Sequence, residues 1–183
     1  MIRLQLCAAA ILLLFRAAPG LGAEDQGTRL LLFRAADAAL ETAREARAEQ
    51  LSPNNFKLAM KSYRAAEGRF QRGGNLDRVR SELATATQSF AAATEAAKQA
   101  SVILANALKG RDAALAAGAS KRDPAAWEKA EREFTLAARE LELGNLENAR
   151  ERGGRAESLY RDAELTAIKQ AYLGDIRNLL DTA

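Results

Sequence analysis

Two short segments, Ser52-Pro53-Asn54-Asn55-Phe56 and Asp123-Pro124-Ala125-Ala126-Trp127, restrict this chain more than any other feature. Each places a capping residue before a proline and an aromatic three residues after it. Proline has no amide hydrogen and a fixed φ, so it suits the first position of a helix and breaks a helix interior. Carrying the register forward pairs Ala59 with Ala130, Tyr63 with Phe134, Ala66 with Ala137 and Phe70 with Leu141. These positions step by three and four residues, the stripe of one helix packed on another.

Both stripes end in a glycine turn, "GGNLDRVR" at Gly73–Arg80 and "GNLENAR" at Gly144–Arg150. Glycine supplies the left-handed residue that ends a helix, and Asn caps the next. Beyond the turn the stripe continues through Leu76/Leu146, Val79/Ala149, Leu83/Gly153, Ala86/Ala156, Phe90/Tyr160, Ala93/Ala163 and Ala97/Ala167. A unit of 70–71 residues, occurring twice, is therefore expected. A fainter echo, "DAAL" at Asp37–Leu40 and again at Asp112–Leu115, suggests part of a third copy.

The predicted layout is a helix at 28–50 capped by Thr28, another at 54–72 and a long one at 76–117 bent at Gly110. Helices at 124–143 and from 146, the last broken at Gly174-Asp175, complete it. Ala, Leu, Glu, Arg and Lys dominate and only 3 prolines occur, which favours helix over sheet. The expected fold class is all-α, an elongated antiparallel helical bundle or helical repeat, with units at about 53–117 and 124–183.

The heptapeptide "LLLFRAA" occurs at Leu12–Ala18 and at Leu30–Ala36 in different contexts. The first follows Arg3 and lies in an apolar stretch, Leu4–Phe15, shorter than the ~20 residues of a membrane span. Pro19-Gly20 and the small Ala23 come next, so residues 1–23 read as a signal peptide cleaved after Ala23. The alternative is a retained anchor. The second copy opens a helix whose apolar face holds Phe33, Ala36, Leu40 and Ala43. The mature domain, 24–183, is expected to be secreted across an inner membrane into a periplasm.

Setting aside Arg3 and Arg16 leaves 25 of the 27 basic side chains against 24 acidic ones, so the mature chain is near neutral. No basic block points to nucleic acid. The chain has no histidine, and its one cysteine, Cys7, lies in the segment expected to be removed. The carboxylates Glu131, Glu133, Glu140, Glu142 and Glu147 are interleaved with Lys129, Arg132 and Arg139 at spacings suited to solvated ion pairs. Acid–base catalysis would need carboxylates converging in a shielded pocket. No catalytic, cofactor-binding or metal-binding residues are therefore assigned, the expected protein is not an enzyme, and it uses no cofactor.

The stretch from Pro124 to Leu165, with Trp127, Ala130, Ala137-Ala138, the Gly144-Asn145 turn, Ala149 and "LYRDAE" at Leu159–Glu164, resembles a small helical domain of bacterial envelope proteins. That domain, of unknown function, often precedes an OmpA-like peptidoglycan-binding domain. The resemblance spans roughly 112–173 and more faintly 37–102. No OmpA-like domain lies in these 183 residues, so peptidoglycan binding is not implied. The turn also resembles that of tetratricopeptide repeats, although the period is about twice theirs.

Trp127 and its register partner Phe56, with Tyr63, Phe90 and Tyr160, are expected to pack between helices, and Tyr172 to lie off the stripe. Arg69, Arg72, Arg78 and Arg80 gather near the first glycine turn, whereas the second mixes Arg139 and Arg150 with acids. That asymmetry suggests an anionic partner or a solvated loop. The expected role is a non-enzymatic periplasmic adaptor or scaffold with an envelope protein partner and an unknown binding face. Alternatives are a self-associating coiled-coil-like spacer and a carrier of an apolar ligand.

Overall fold

The structure, a computed structural model, describes residues 23–181. Apart from Ala23, the expected signal segment, with Cys7, lies outside the described residues. Eight helices and no strand occur among those described: α1 (Ala23–Glu45), α2 (Ala48–Leu51), α3 (Pro53–Gln71), α4 (Leu76–Ile103), α5 (Ala105–Ala116), α6 (Ala119–Arg122), α7 (Pro124–Glu142) and α8 (Leu146–Asp181). The fold is an all-α helical bundle.

Helix α3 packs on α4 and α7 on α8, each pair antiparallel across a glycine turn. Helix α1 covers α4, and α5 covers α8. Two three-helix assemblies result, α1–α3–α4 and α5–α7–α8, joined because α4 runs almost directly into α5. At Leu104 (φ −99°, ψ 18°) the helix is locally loosened. The 1→5 bonds persist there, from Leu104 N to Ala100 O at 2.8 Å and from Leu108 N to Leu104 O at 2.9 Å. The interruption thus falls at Leu104, ahead of the bend expected at Gly110, which lies within α5. Gly110 is instead where α5 presses on α8, and a Cβ there would lie 3.4 Å from Tyr160 Cβ.

Helices α3 and α7 are both 19 residues long and begin 71 residues apart. The four-residue α2 and α6 begin at the same separation. Each follows a left-handed residue, Arg47 (φ 56°) or Gly118 (φ 77°). The "DAAL" echo fails: Leu40 is buried, while Leu115 is 48 % exposed. At a spacing of 71, Phe33, Ala36 and Ala43 meet Leu104, Ala107 and Ala114, all buried. The literal match is one helical turn out of the packing register.

Helix α1 starts at Ala23, placing Thr28 inside it rather than at its cap. It ends at Glu45, because Arg47 turns the chain into α2 before Gln50. Helix α8 runs through Gly174-Asp175 without a break. A helical glycine costs about 1 kcal/mol, and that alone does not end a helix.

The two glycine turns share one closure. Gly73 (φ 65°) and Gly144 (φ 79°) donate to Phe70 O and Leu141 O. The next residues, Gly74 and Asn145, donate to Arg69 O at 2.9 Å and Glu140 O at 2.8 Å. The extra glycine leaves Asn75 free to cap α4, its side chain accepting from Arg78 N at 2.9 Å. Asn145 must serve as the closing residue itself, and its side-chain amide donates to Glu140 at 2.9 Å instead.

Candidate interaction surfaces

The aromatic residues of the stripe are packing residues. Phe33 meets Tyr63 and Phe70 edge-on, and Phe90 meets Phe56 and Tyr63. In the second half Tyr160 sits between Trp127 and Phe134, with ring centres 5.5 and 6.3 Å away. Trp127 is half-buried beneath the Arg111 guanidinium, 5.3 Å from the ring centre. Tyr172 is exposed.

Both tyrosine hydroxyls in this core are answered by a carboxylate and an arginine. Tyr63 donates to Asp37 at 2.5 Å, with Arg29 3.4 Å from the same oxygen. Tyr160 donates to Glu131 at 2.6 Å, and Arg111 donates to Glu131 at 2.7 Å. Burial and the Asp37 acceptor push the Tyr63 hydroxyl up to about 12. Burial and Glu131 likewise raise Tyr160 above the ordinary tyrosine value. Each phenol keeps its proton near neutrality, so the two clusters fasten neighbouring helices together.

The remaining carboxylates are engaged differently from the sequence expectation. Only Arg132–Glu128, at 3.8 Å, forms a pair within α7. Glu133 meets Arg152 and Arg155 of α8, each at 3.2 Å, and Glu140 meets Arg152 at 3.8 Å. This face of α7 abuts α8, so its acids find cross-helix partners. Glu147 lies exposed in the first turn of α8. No group of three or more His, Cys, Asp or Glu among the described residues is placed to hold a metal ion.

Glu142 performs a function with no local sequence signal. Its Oε1 accepts from Ser52 Oγ at 2.7 Å and Asn55 N at 2.9 Å, and its Oε2 accepts from Asn54 N at 3.1 Å. The end of α7 thus caps the start of α3, 88 residues away in sequence for Asn54. Ser52 stands at the capping position but makes no cap bond of its own, whereas Asp123 caps α7 directly through Ala126 N at 3.1 Å.

The arginines near the first glycine turn are partly consumed. Arg69 grips both Glu82 oxygens at 2.8–3.2 Å, and that hydrogen bond holds the Glu82 carboxyl below its ordinary value. Arg80 pairs with Asp77, while Arg72 and Arg78 are exposed. Two open grooves lie elsewhere. One of about 590 Å³ runs along α3, between Arg44 and Arg64. Another, of about 560 Å³, runs along α7 between Glu128 and Arg139. An apolar row, Leu165, Ile168, Tyr172, Leu173 and Ile176, is exposed on the last turns of α8. No helix of the described residues is long and apolar enough to cross a membrane.

No family model, curated protein or solved structure matches this chain.

Proposed function

We propose that this protein is a non-enzymatic adaptor or scaffold of the bacterial envelope, exported by its N-terminal segment and working in the periplasm. It is built as two copies of one 70–71-residue helical unit. The observation that carries this reading is the fate of its reactive side chains. Buried Tyr63 and Tyr160 are closed within helix packing, and Glu131, Glu133, Glu140 and Glu142 are committed to holding helices together. What remains available is an extended helical surface with shallow grooves, suited to protein recognition rather than chemistry. N-terminal sequencing of the protein from cells tests export, with Glu24 as the expected first residue and Met1 as the refuting one. Site-specific photo-crosslinking along α3 and α7 in intact cells tests the adaptor role. A discrete partner band supports it, and no adduct from any site refutes it.

The spacer reading draws on the exposed apolar row of α8, which a second copy could cover. End-to-end stacking of copies would repeat the Glu142 contact at the next α7, but Asp123 already caps that helix. Light scattering across a concentration series separates the readings, because a concentration-independent monomer removes the spacer.

A further inference from the structure

The groove along α3 carries a charge pattern that the fold does not use. Lys57, Lys61 and Arg64 line one wall, Arg44 at the end of α1 faces them, and Glu49 is the lone carboxylate. The floor is apolar, formed by Pro53, Phe56 and Met60, with Phe56 only 8 % exposed. Arg44 is held by Glu41 at 2.6 Å. Lys57, Lys61 and Arg64 have no ion-pair partner among the described residues.

We propose that this groove docks an acidic amphipathic helix of a partner protein. Its carboxylates would meet Lys57, Lys61 and Arg64, and an apolar side chain would reach Phe56 and Met60. The proposal rests on the adaptor reading and supplies it with a face and a ligand chemistry.

Spacings of four and three residues align the three cations along about 10 Å of one helix face. Acids at i, i+4 and i+7 of a facing helix present the complementary row. Unpaired like charges repel, so folding gains nothing from gathering them here. The same face 71 residues later shows that the helix does not need them. There Glu128 stands for Lys57, Thr135 for Arg64 and Leu115 for Arg44, with only Arg132 keeping the charge of Lys61. The apolar floor is recessed between charged walls rather than protruding. That shape favours a side chain entering a groove over insertion into a bilayer, and a polyanionic saccharide would leave the floor unused.

The test uses the purified protein and a fluorescein-labelled helix-forming peptide with Glu at i, i+4 and i+7 and Leu at i+3. Its Gln counterpart is the control. Fluorescence polarisation should show binding that weakens with added salt and is at least tenfold weaker, about one logarithmic unit in Kd, for the Gln peptide. Combining Lys57→Glu with Arg64→Thr introduces residues that α7 already tolerates at the matching positions. With unchanged helix content, this double variant should lose binding by a similar factor. Arg132→Glu on α7 should leave binding unchanged. Equal binding of the two peptides, or full binding by the double variant, overturns the proposal. So does tighter binding of phosphatidylglycerol vesicles or dextran sulfate through the same cations. In-cell crosslinking keeps the two levels apart. A partner captured equally by the wild type and the double variant sinks this groove and leaves the adaptor reading standing, whereas no partner at any site sinks the adaptor reading itself.

Discussion

The two three-helix halves solve the same packing problem with exchanged parts. In the first half the tyrosine sits on the middle helix, as Tyr63, opposite Phe90. In the second it sits on the last helix, as Tyr160, opposite Phe134. Each half therefore buries one phenol, and each recruits a carboxylate and an arginine from whichever helices lie nearby: Asp37 and Arg29, or Glu131 and Arg111. The first helix contributes Phe33 in one half and Leu104 in the other, both almost fully buried. The larger ring meets Tyr63 and Phe70. The smaller leucine leans over Gly153, where a Cβ would approach its Cδ2 to 2.8 Å. The second half thus carries the smaller residue at both positions, Leu104 for Phe33 and Gly153 for Leu83, and the leucine tip fills the space over the glycine, as close packing requires.

The largest expected effect is core truncation. Phe33→Ala should cost about 3–5 kcal/mol and Leu104→Ala about 2–5 kcal/mol. Urea unfolding checks both, and a loss below 1 kcal/mol at either position would mean that its half is not closed by that helix. Next is Gly153→Leu, which copies Leu83 from the first half. It should cost about 1–3 kcal/mol by overpacking Leu104. Gly153→Ala should be near neutral, since the flexible tip of Leu104 can yield while the helix gains propensity. Comparable losses for Ala and Leu would show that backbone approach, and not Leu104, sets the limit.

The caps come next in size. Glu142→Ala strips α3 of its borrowed cap and leaves the buried Ser52 hydroxyl without its acceptor, costing about 1–3 kcal/mol. Asp123→Ala removes only a local cap, at about 1 kcal/mol. Hydrogen exchange should separate them. The first variant should expose amides at the start of α3 and the end of α7 together, the second only those of α7. Last is the alkaline limit. Tyr63 and Tyr160 have raised folded-state values, so their contribution is complete below pH 10 and declines as pH rises towards 12. Tyr63→Phe should flatten that decline in the thermal midpoint, and an unchanged slope would remove Tyr63 from its cause.

Much of the frame is legible in residue order. The prolines at 53 and 124, the glycines at 73 and 144 and the three-four stripe locate α3, α7 and the starts of α4 and α8. Those signals act within a few residues, through fixed φ, left-handed turns and face periodicity. Arg47 adopts the left-handed turn that Gly118 adopts openly, so no glycine marks the end of α1. "DAAL" matched by letters while burial followed a register one turn away. Sequence spacing pairs the acids of α7 with cations of the same helix, whereas Glu131, Glu133 and Glu140 are met from α5 and α8.

The sequence by itself determined where α3, α4, α7 and α8 start, the two glycine turns between them and which stripe is apolar, because each rests on backbone torsion or periodicity readable from neighbours. Only the tertiary structure decided what those stripes and charges meet. Glu142 could not be assigned to the start of α3, nor Asp37 and Glu131 to the two phenols, because such bonds join residues distant in sequence. The groove along α3 is likewise a tertiary fact: Lys57, Lys61 and Arg64 share a helix, but the fold places Arg44 opposite them and Phe56 and Met60 beneath.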